Sequence, residues 1–155
     1  MTRYASRTMV SAEKSRIEIE RTLSRYGAEA FMYGTKGLQG IIQFEAKERR
    51  IRFVLPLPNP EDYFTTDKGR SLSENQTAAR VEQATRQRWR ALALAVKAKL
   101  EAVESGITTF EEEFMAHIVL PGGQTVGAWM TPQIEQAYKS NKLPALLPAP
   151  DEVKR

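Results

Sequence analysis

The stretch from Leu38 to Pro56 decides the fold and reads LQGIIQFEAKERRIRFVLP. Apolar and polar residues alternate along most of it, and a period of two places side chains on opposite faces of a β-strand. The apolar residues that we expect on one face are Ile42, Phe44 and Ala46, followed by Ile51, Phe53 and Leu55. The polar residues 47–49 separate the two runs, so they predict a hairpin turn between antiparallel strands.

A third strand and a stop signal flank this hairpin. Residues 29–33 predict a short aromatic strand, and residues 34–37 contain two glycines that mark the turn after it. Three prolines between positions 56 and 60 end the sheet, because proline has no N–H to donate to a neighbouring strand. The sequence therefore predicts a three-stranded antiparallel meander with one apolar face.

Two predicted helices with N-caps flank the predicted meander in the sequence, one before it and one after it. Ser11 is a good N-cap for a helix over residues 12–26. Ser73 and Gln76 form the Ser-x-x-Gln pattern of a capping box, which opens a helix over residues 74–104. The predicted fold class is α+β, with the meander packed by an N-terminal helix and a long central helix.

The long central helix has an apolar stripe along its second half only. That stripe consists of Trp89, Leu92, Ala93, Val96, Leu100 and Val103. Residues 75–88 offer only alanines and Val81, so we expect this half to project from the core or to pack on a second copy. The preceding loop, residues 56–72, is long for a small domain, and such loops are usually functional or disordered.

The C-terminal part predicts a helix-hairpin-helix segment. Phe110 and Phe114 lie four residues apart on a short helix, and residues 117–129 read as a small β-hairpin. Thr131 followed by a proline predicts the start of the last helix. A helix that continues through residues 115–120 is the alternative to a strand there.

The domain boundaries follow from these elements. We expect a flexible arm at residues 1–10, a single α+β domain at residues 11–147 and a disordered tail at residues 148–155. No apolar run approaches the roughly 20 residues of a membrane helix, and the first ten residues lack an apolar signal core. These features predict a cytoplasmic protein without a membrane partner.

The composition argues against catalysis. The 155 residues include no cysteine, which excludes a disulfide framework, a thiolate zinc site and a cysteine nucleophile. His117 is the only histidine, and the neighbouring glutamates 111–113 occupy a predicted helix start, where negative charge is favourable anyway. The glycines at 34, 37 and 40 lie between strands and precede no helix, so they form no phosphate-binding loop. We predict a non-enzymatic protein with no metal and no cofactor.

The basic residues suggest an acidic partner. Lys and Arg number 23 against 19 acidic residues, and the net charge of +4 permits contact with phosphates. The candidate nucleic-acid-binding residues are Arg50, Arg52, Lys68, Arg70, Arg86, Arg90 and Lys97. Tyr63 and Phe64 are candidates for stacking on the bases of single-stranded DNA or RNA. The alternative interpretation is a set of ordinary solvated basic faces.

The C-terminal half resembles a group of uncharacterised small proteins encoded by phages and prophages. The segments that carry the resemblance are WRAL at 89–92, KAKLEAVESGI at 97–107, FEEEF at 110–114, LPGG at 120–123 and TVG at 125–127. The resemblance implies a genomic context and assigns no site residues.

Two functional hypotheses follow from the sequence. The first is a phage-type accessory protein that contacts nucleic acid through the basic residues of the sheet and the long helix. The second is a protein-interaction module that binds and modulates a bacterial host or defence factor through residues 62–70 and the first half of the long helix. Formation of a homo-oligomer is compatible with both.

Overall fold

A computed structural model describes residues 8–143. The predicted tail at 148–155 and most of the predicted arm lie outside the described residues. The helices are α1 Ala12–Arg25, α2 Glu74–Glu104, α3 Phe110–Phe114 and α4 Val126–Ser140. The strands are β1 Glu29–Lys36, β2 Gln39–Ala46 and β3 Arg49–Pro56. Single 3-10 turns occupy Pro60–Tyr63 and Met115–His117. The predicted α+β class is confirmed.

The sheet is the predicted antiparallel meander, in the order β1-β2-β3. Phe44 pairs with Ile51 and Ile42 pairs with Phe53, so the apolar residues of the two strands share one face. The turn between β2 and β3 has two residues with positive φ, Lys47 at 51° and Glu48 at 58°. A turn with two positive φ angles matches the right-handed twist of the strands that it joins.

Helices α1 and α2 cover the inner face of this sheet. Their buried residues form one cluster with the inward residues of the strands; the members from the helices are Ile19, Leu23, Trp89, Ala93, Val96, Leu100 and, from α3, Phe114. Both predicted caps are present. The Ser11 hydroxyl accepts from the N–H of Lys14, and Ser73 and Gln76 make both bonds of the capping box.

The first half of α2 does not project uncovered, which corrects one expectation. The loop before it is folded: the Leu72 N–H donates to the Phe64 carbonyl at 2.8 Å, and Thr65 and Ser71 form a β-bridge. Arg80 on α2 donates to the Thr65 carbonyl at 2.8 Å. These bonds hold the loop against the helix, so Thr77 is buried there.

The predicted second strand of the C-terminal hairpin and the predicted helix start at Thr131 are both wrong. The last helix begins at Val126, because the Thr125 hydroxyl accepts from the Ala128 N–H at 3.2 Å and caps it. Pro132 therefore lies inside α4. The sequence left open whether residues 115–120 form a helix or a strand. In the structure a 3-10 turn ends at His117, and isolated β-bridges follow at Ile118 and Val119.

None of the helices in the described part of the chain is both long enough and apolar enough to span a membrane.

Candidate functional site

An open groove of about 630 Å³ lies between the folded loop and the first turns of α2. We call it the helix–loop groove. The loop contributes Pro60, Phe64, Thr65, Ser71 and Leu72, and α2 contributes Glu74, Thr77, Ala78, Val81 and Glu82. It coincides with the half of α2 whose apolar stripe was missing in the sequence. Within residues 75–88, only Thr77 and Ala84 are buried.

Local bonds position both walls of the helix–loop groove. The capping box fixes the first turn of α2 beside the groove. The loop wall is closed by the Thr65–Ser71 bridge and by the bond from Thr66 N–H to the Arg70 carbonyl at 2.8 Å. The groove is therefore formed before any ligand arrives.

The exposed surface of the groove is mostly apolar, although five of its ten described lining residues are polar or charged, and the charged ones among these ten are two glutamates. Phe64 is 52% exposed even though it is a large aromatic residue. Glu82 pairs with Arg86 on the next turn of α2, whereas Glu74 lies in the first turn of α2. A ligand that fits this groove presents an apolar side chain next to a positive charge, and a phosphate is unfavourable there.

The structure does not bring the predicted nucleic-acid-binding residues together. Arg50 and Arg52 lie on the outer face of the sheet, because their neighbours Ile51 and Phe53 are buried on the inner face. Arg90 lies on α2, which covers that inner face. Lys68 lies in the turn of the loop and is exposed, as is the neighbouring Arg70.

Four of the seven predicted cations already have partners within the chain. Arg50 lies 3.7 Å from the Glu45 carboxylate, Arg86 pairs with Glu82 and Arg90 pairs with Glu18 on α1. Arg52 donates to the side-chain oxygen of Gln43 at 3.1 Å and to the Gly123 carbonyl at 2.7 Å. Arg90 links α2 to α1, and Arg52 fixes the turn before α4 to the sheet.

The two predicted stacking residues differ in environment. Tyr63 is half-buried, and the Arg80 guanidinium lies 5.5 Å from the centroid of its ring, so this face of the ring is occupied. Phe64 lines the helix–loop groove. The pair does not form a shared platform for successive bases.

A second surface was missed by the sequence analysis. A cleft of about 1090 Å³ between α1 and α2 is lined by four cations, Lys14, Arg21, Arg25 and Lys97, and by three carboxylates, Glu18, Glu101 and Glu104. Only Lys97 had been predicted. The spacing of seven and four residues from Lys14 to Arg21 to Arg25 places them on one side of α1, and this periodicity could have revealed them.

The charges in this α1–α2 cleft are mixed. Glu18 pairs with Arg90, and the Tyr26 hydroxyl donates to Glu104, a bond that raises the pKa of Tyr26. Within residues 8–143, the side chains of the four lining cations have no ion-pair or hydrogen-bond partner. Unpaired cations next to carboxylates make the cleft only weakly attractive to a polyanion.

The environment of His117 is that of a packed side chain. Its ring centroid lies 4.1 Å from that of Phe53. Burial lowers the pKa of His117, the positive charge of Lys99 lowers it further, and a hydrogen bond with the backbone of Arg52 opposes both. Within the described residues, no group of three His, Asp or Glu side chains is placed to hold a metal ion.

No protein-family model matches the chain, and neither a curated protein nor a solved structure matches it.

Proposed function

We propose that this protein is a non-enzymatic protein-interaction module that docks an apolar segment of its partner in the helix–loop groove. The observation that supports the proposal most directly is the groove itself, a preformed and mostly apolar depression of about 630 Å³. Ligand sites in proteins are typically concave, apolar and of about 300–1,000 Å³.

The energetics favour an apolar anchor. Burying one Leu or Phe side chain from water contributes about 1.5–3 kcal/mol. Because hydrogen bonds already order the loop wall, binding requires little ordering of this protein. The partially exposed Phe64 ring loses further contact with water when an anchor packs on it.

The charges of the groove restrict the partner. Among the described residues that line it, Glu74 and Glu82 are the ionisable ones. A partner segment with Lys or Arg next to its apolar anchor complements these carboxylates, whereas an acidic segment is repelled. The resemblance of the C-terminal half to phage-encoded proteins makes a bacterial host or defence factor the partner class that we favour.

The test compares two substitutions on exposed alanines of the same helix. Ala78→Arg places a long charged side chain in the groove, and Ala98→Arg places the same side chain outside it. Each variant and the wild type are used as bait in a nuclease-treated lysate of the cells that naturally make the protein. We expect the wild type and Ala98→Arg to retain the same partner and Ala78→Arg to lose it. Retention by all three baits, or by none, contradicts the proposal.

The second candidate function is binding to the nucleic-acid backbone through the α1–α2 cleft. The observation that favours it is the row of cations Lys14, Arg21 and Arg25 along one side of α1, whose side chains are unpaired in the part of the chain that the structure describes. At 1.5 Å per residue this row is about 16 Å long, which matches about five phosphates of one strand at 3.4 Å each. The carboxylates Glu101 and Glu104 across the cleft weaken such binding.

This candidate has its own test. Binding to a labelled oligonucleotide is measured at several salt concentrations for the wild type and for the Arg21→Gln, Arg25→Gln double variant. We expect the double variant to reduce the slope of log K against log salt by about 2. Arg50→Gln is the control, because its guanidinium already faces Glu45. The absence of wild-type binding at low salt refutes this candidate.

A further inference from the structure

Helix α4 is a second uncovered apolar surface. It has 15 residues, and none of them is buried in the described structure. Its first turn is held closely to the second 3-10 turn: a Cβ built on Gly127 lies 2.9 Å from the Ala116 carbonyl oxygen. Beyond that contact, Trp129, Met130 and Ala137 are half-buried, whereas Ile134 and Tyr138 are exposed.

The exposed apolar residues of α4 have the spacing of a docking helix. Ile134 is 48% exposed and Tyr138 is 87% exposed. Residues four apart lie on the same side of a helix, and apolar anchors at this spacing are typical of helices that bind in hydrophobic grooves. The exposed fractions indicate a surface that lacks its partner.

The carboxylates in the lining of the helix–loop groove are opposite in charge to the lysines at the end of α4. The groove is concave and apolar with Glu74 and Glu82 in its lining, whereas Tyr138 of α4 is followed by Lys139 and Lys142. Within residues 8–143, Lys139 pairs with Glu135 at 2.8 Å, and both side chains are more than 60% exposed. Such an exposed pair contributes about 0.3–0.5 kcal/mol, so it exchanges easily for a new contact.

The groove of a molecule is not filled by its own α4. All ten of the described residues that line it belong to the loop and to α2, while α4 is anchored at Ala116 on the second 3-10 turn. An α4 helix that enters the groove while the molecule's own α4 keeps this position therefore comes from another copy of the chain.

We propose that α4 of one copy docks its Ile134–Tyr138 side in the helix–loop groove of a second copy. This inference rests on the proposed function, because it uses the same groove as a docking site. The contact is heterologous, so each copy offers one helix and one groove, and association continues into a ring or an open chain. One helix end in one groove is a small interface, and affinities in the micromolar range are usual for such contacts.

The test is sedimentation velocity of the purified chain between about 1 µM and about 100 µM, which brackets a micromolar affinity. We expect the average mass of the wild type to rise across this range. Tyr138→Ser removes the helix anchor and Ala78→Arg blocks the groove, so each variant alone stays monomeric. An equimolar mixture of the two forms a dimer and nothing larger, because only one intact helix and one intact groove remain to combine.

The mixture distinguishes this contact from pairing of two α4 helices. If α4 paired with α4, Ala78→Arg would assemble like the wild type, and mixing it with Tyr138→Ser would produce no new complex. Ile107→Ser is the matched control for Tyr138→Ser, because Ile107 is 80% exposed and lies outside both surfaces; we expect it to assemble like the wild type. A wild-type chain that stays monomeric, or an Ala78→Arg variant that assembles, overturns the inference.

The two proposals fail separately. A monomeric chain that still captures a foreign partner through the groove refutes self-association alone. A chain that assembles through the groove but captures no foreign protein refutes the proposed function alone.

Discussion

Arg90 on α2 donates a hydrogen bond to the carboxylate of Glu18 on α1, a residue 72 positions earlier in the chain. The two side chains are 24% and 38% exposed. The pair joins the two helices that cover the sheet. Arg90 therefore stabilises the helix interface. The sequence had suggested instead that Arg90 is a free cation available to a nucleic acid.

The pair makes a measurable but modest contribution to stability. In a double-mutant cycle with Glu18→Gln and Arg90→Ala, we expect a coupling of about 0.5–1 kcal/mol in the free energy of unfolding, since both groups are partly solvated. Urea denaturation of the four proteins measures it. Arg21→Ala on the same helix is the control, and we expect a change within about 0.5 kcal/mol. A coupling of zero would show that the contact is not formed in solution.

Gly40 on β2 and Trp89 on α2 are in close contact through the core. A Cβ added at Gly40 lies 3.0 Å from Cζ2 of Trp89, and the indole is buried. We expect Gly40→Ala to lower the free energy of unfolding by about 1–2 kcal/mol, because the indole has no free space to move into. Gly34→Ala on β1 is the control, since its Cβ meets nothing within 4 Å. Equal unfolding curves for the two variants would contradict the contact.

Gly127 in α4 reverses the usual effect of alanine in a helix. Alanine normally favours a helix over glycine by about 1 kcal/mol, but here its Cβ would lie 2.9 Å from the Ala116 carbonyl oxygen. We expect Gly127→Ala to destabilise the protein by about 1–3 kcal/mol. Gly122→Ala meets no atom within 4 Å and serves as the control. A stabilised Gly127→Ala variant would mean that α4 does not pack on the second 3-10 turn.

His117 makes stability depend on pH. Its pKa in the folded state is below the ordinary value of 6.5, chiefly because of burial. As the pH falls below about 6.5, the unfolded chain takes up a proton before the folded one, so the free energy of unfolding decreases. We expect the wild type to lose more stability than His117→Gln between about pH 7.5 and pH 5.5, above the range where carboxylates titrate. Urea denaturation measures both losses, and equal losses for the wild type and His117→Gln would show that burial does not lower the pKa of His117.

The sheet and the long helix could be predicted because local signals encode them. The period of two at Ile42–Ala46 needs no knowledge of the rest of the chain, and neither does the capping box at Ser73 and Gln76. The last helix was misplaced because two threonines, Thr125 and Thr131, each offer a cap. The β-branched pair Thr125 and Val126 favoured a strand, but Thr125 caps the helix instead.

The candidate sites depend on distant contacts and could not be predicted in the same way. Arg90 looks free in the sequence because its partner Glu18 belongs to another helix. The helix–loop groove exists because residues 56–72 fold back on α2, and the bonds from Leu72 and Arg80 that achieve this have no periodic pattern. The absence of an apolar stripe along residues 75–88 and the length of the loop at residues 56–72 were the features of the sequence that pointed to this region.

The central claim is that the helix–loop groove docks another protein, and site-specific photo-crosslinking tests it most directly. A photoreactive residue replaces Ala78 in the groove or, as the control, Ala98 on the same helix outside it. Both proteins are irradiated in the cells that naturally make the protein, and the adducts are identified by mass spectrometry. We predict that position 78 crosslinks a protein other than this chain and that position 98 does not. Equal labelling from both positions, or no foreign adduct from position 78, would contradict the claim.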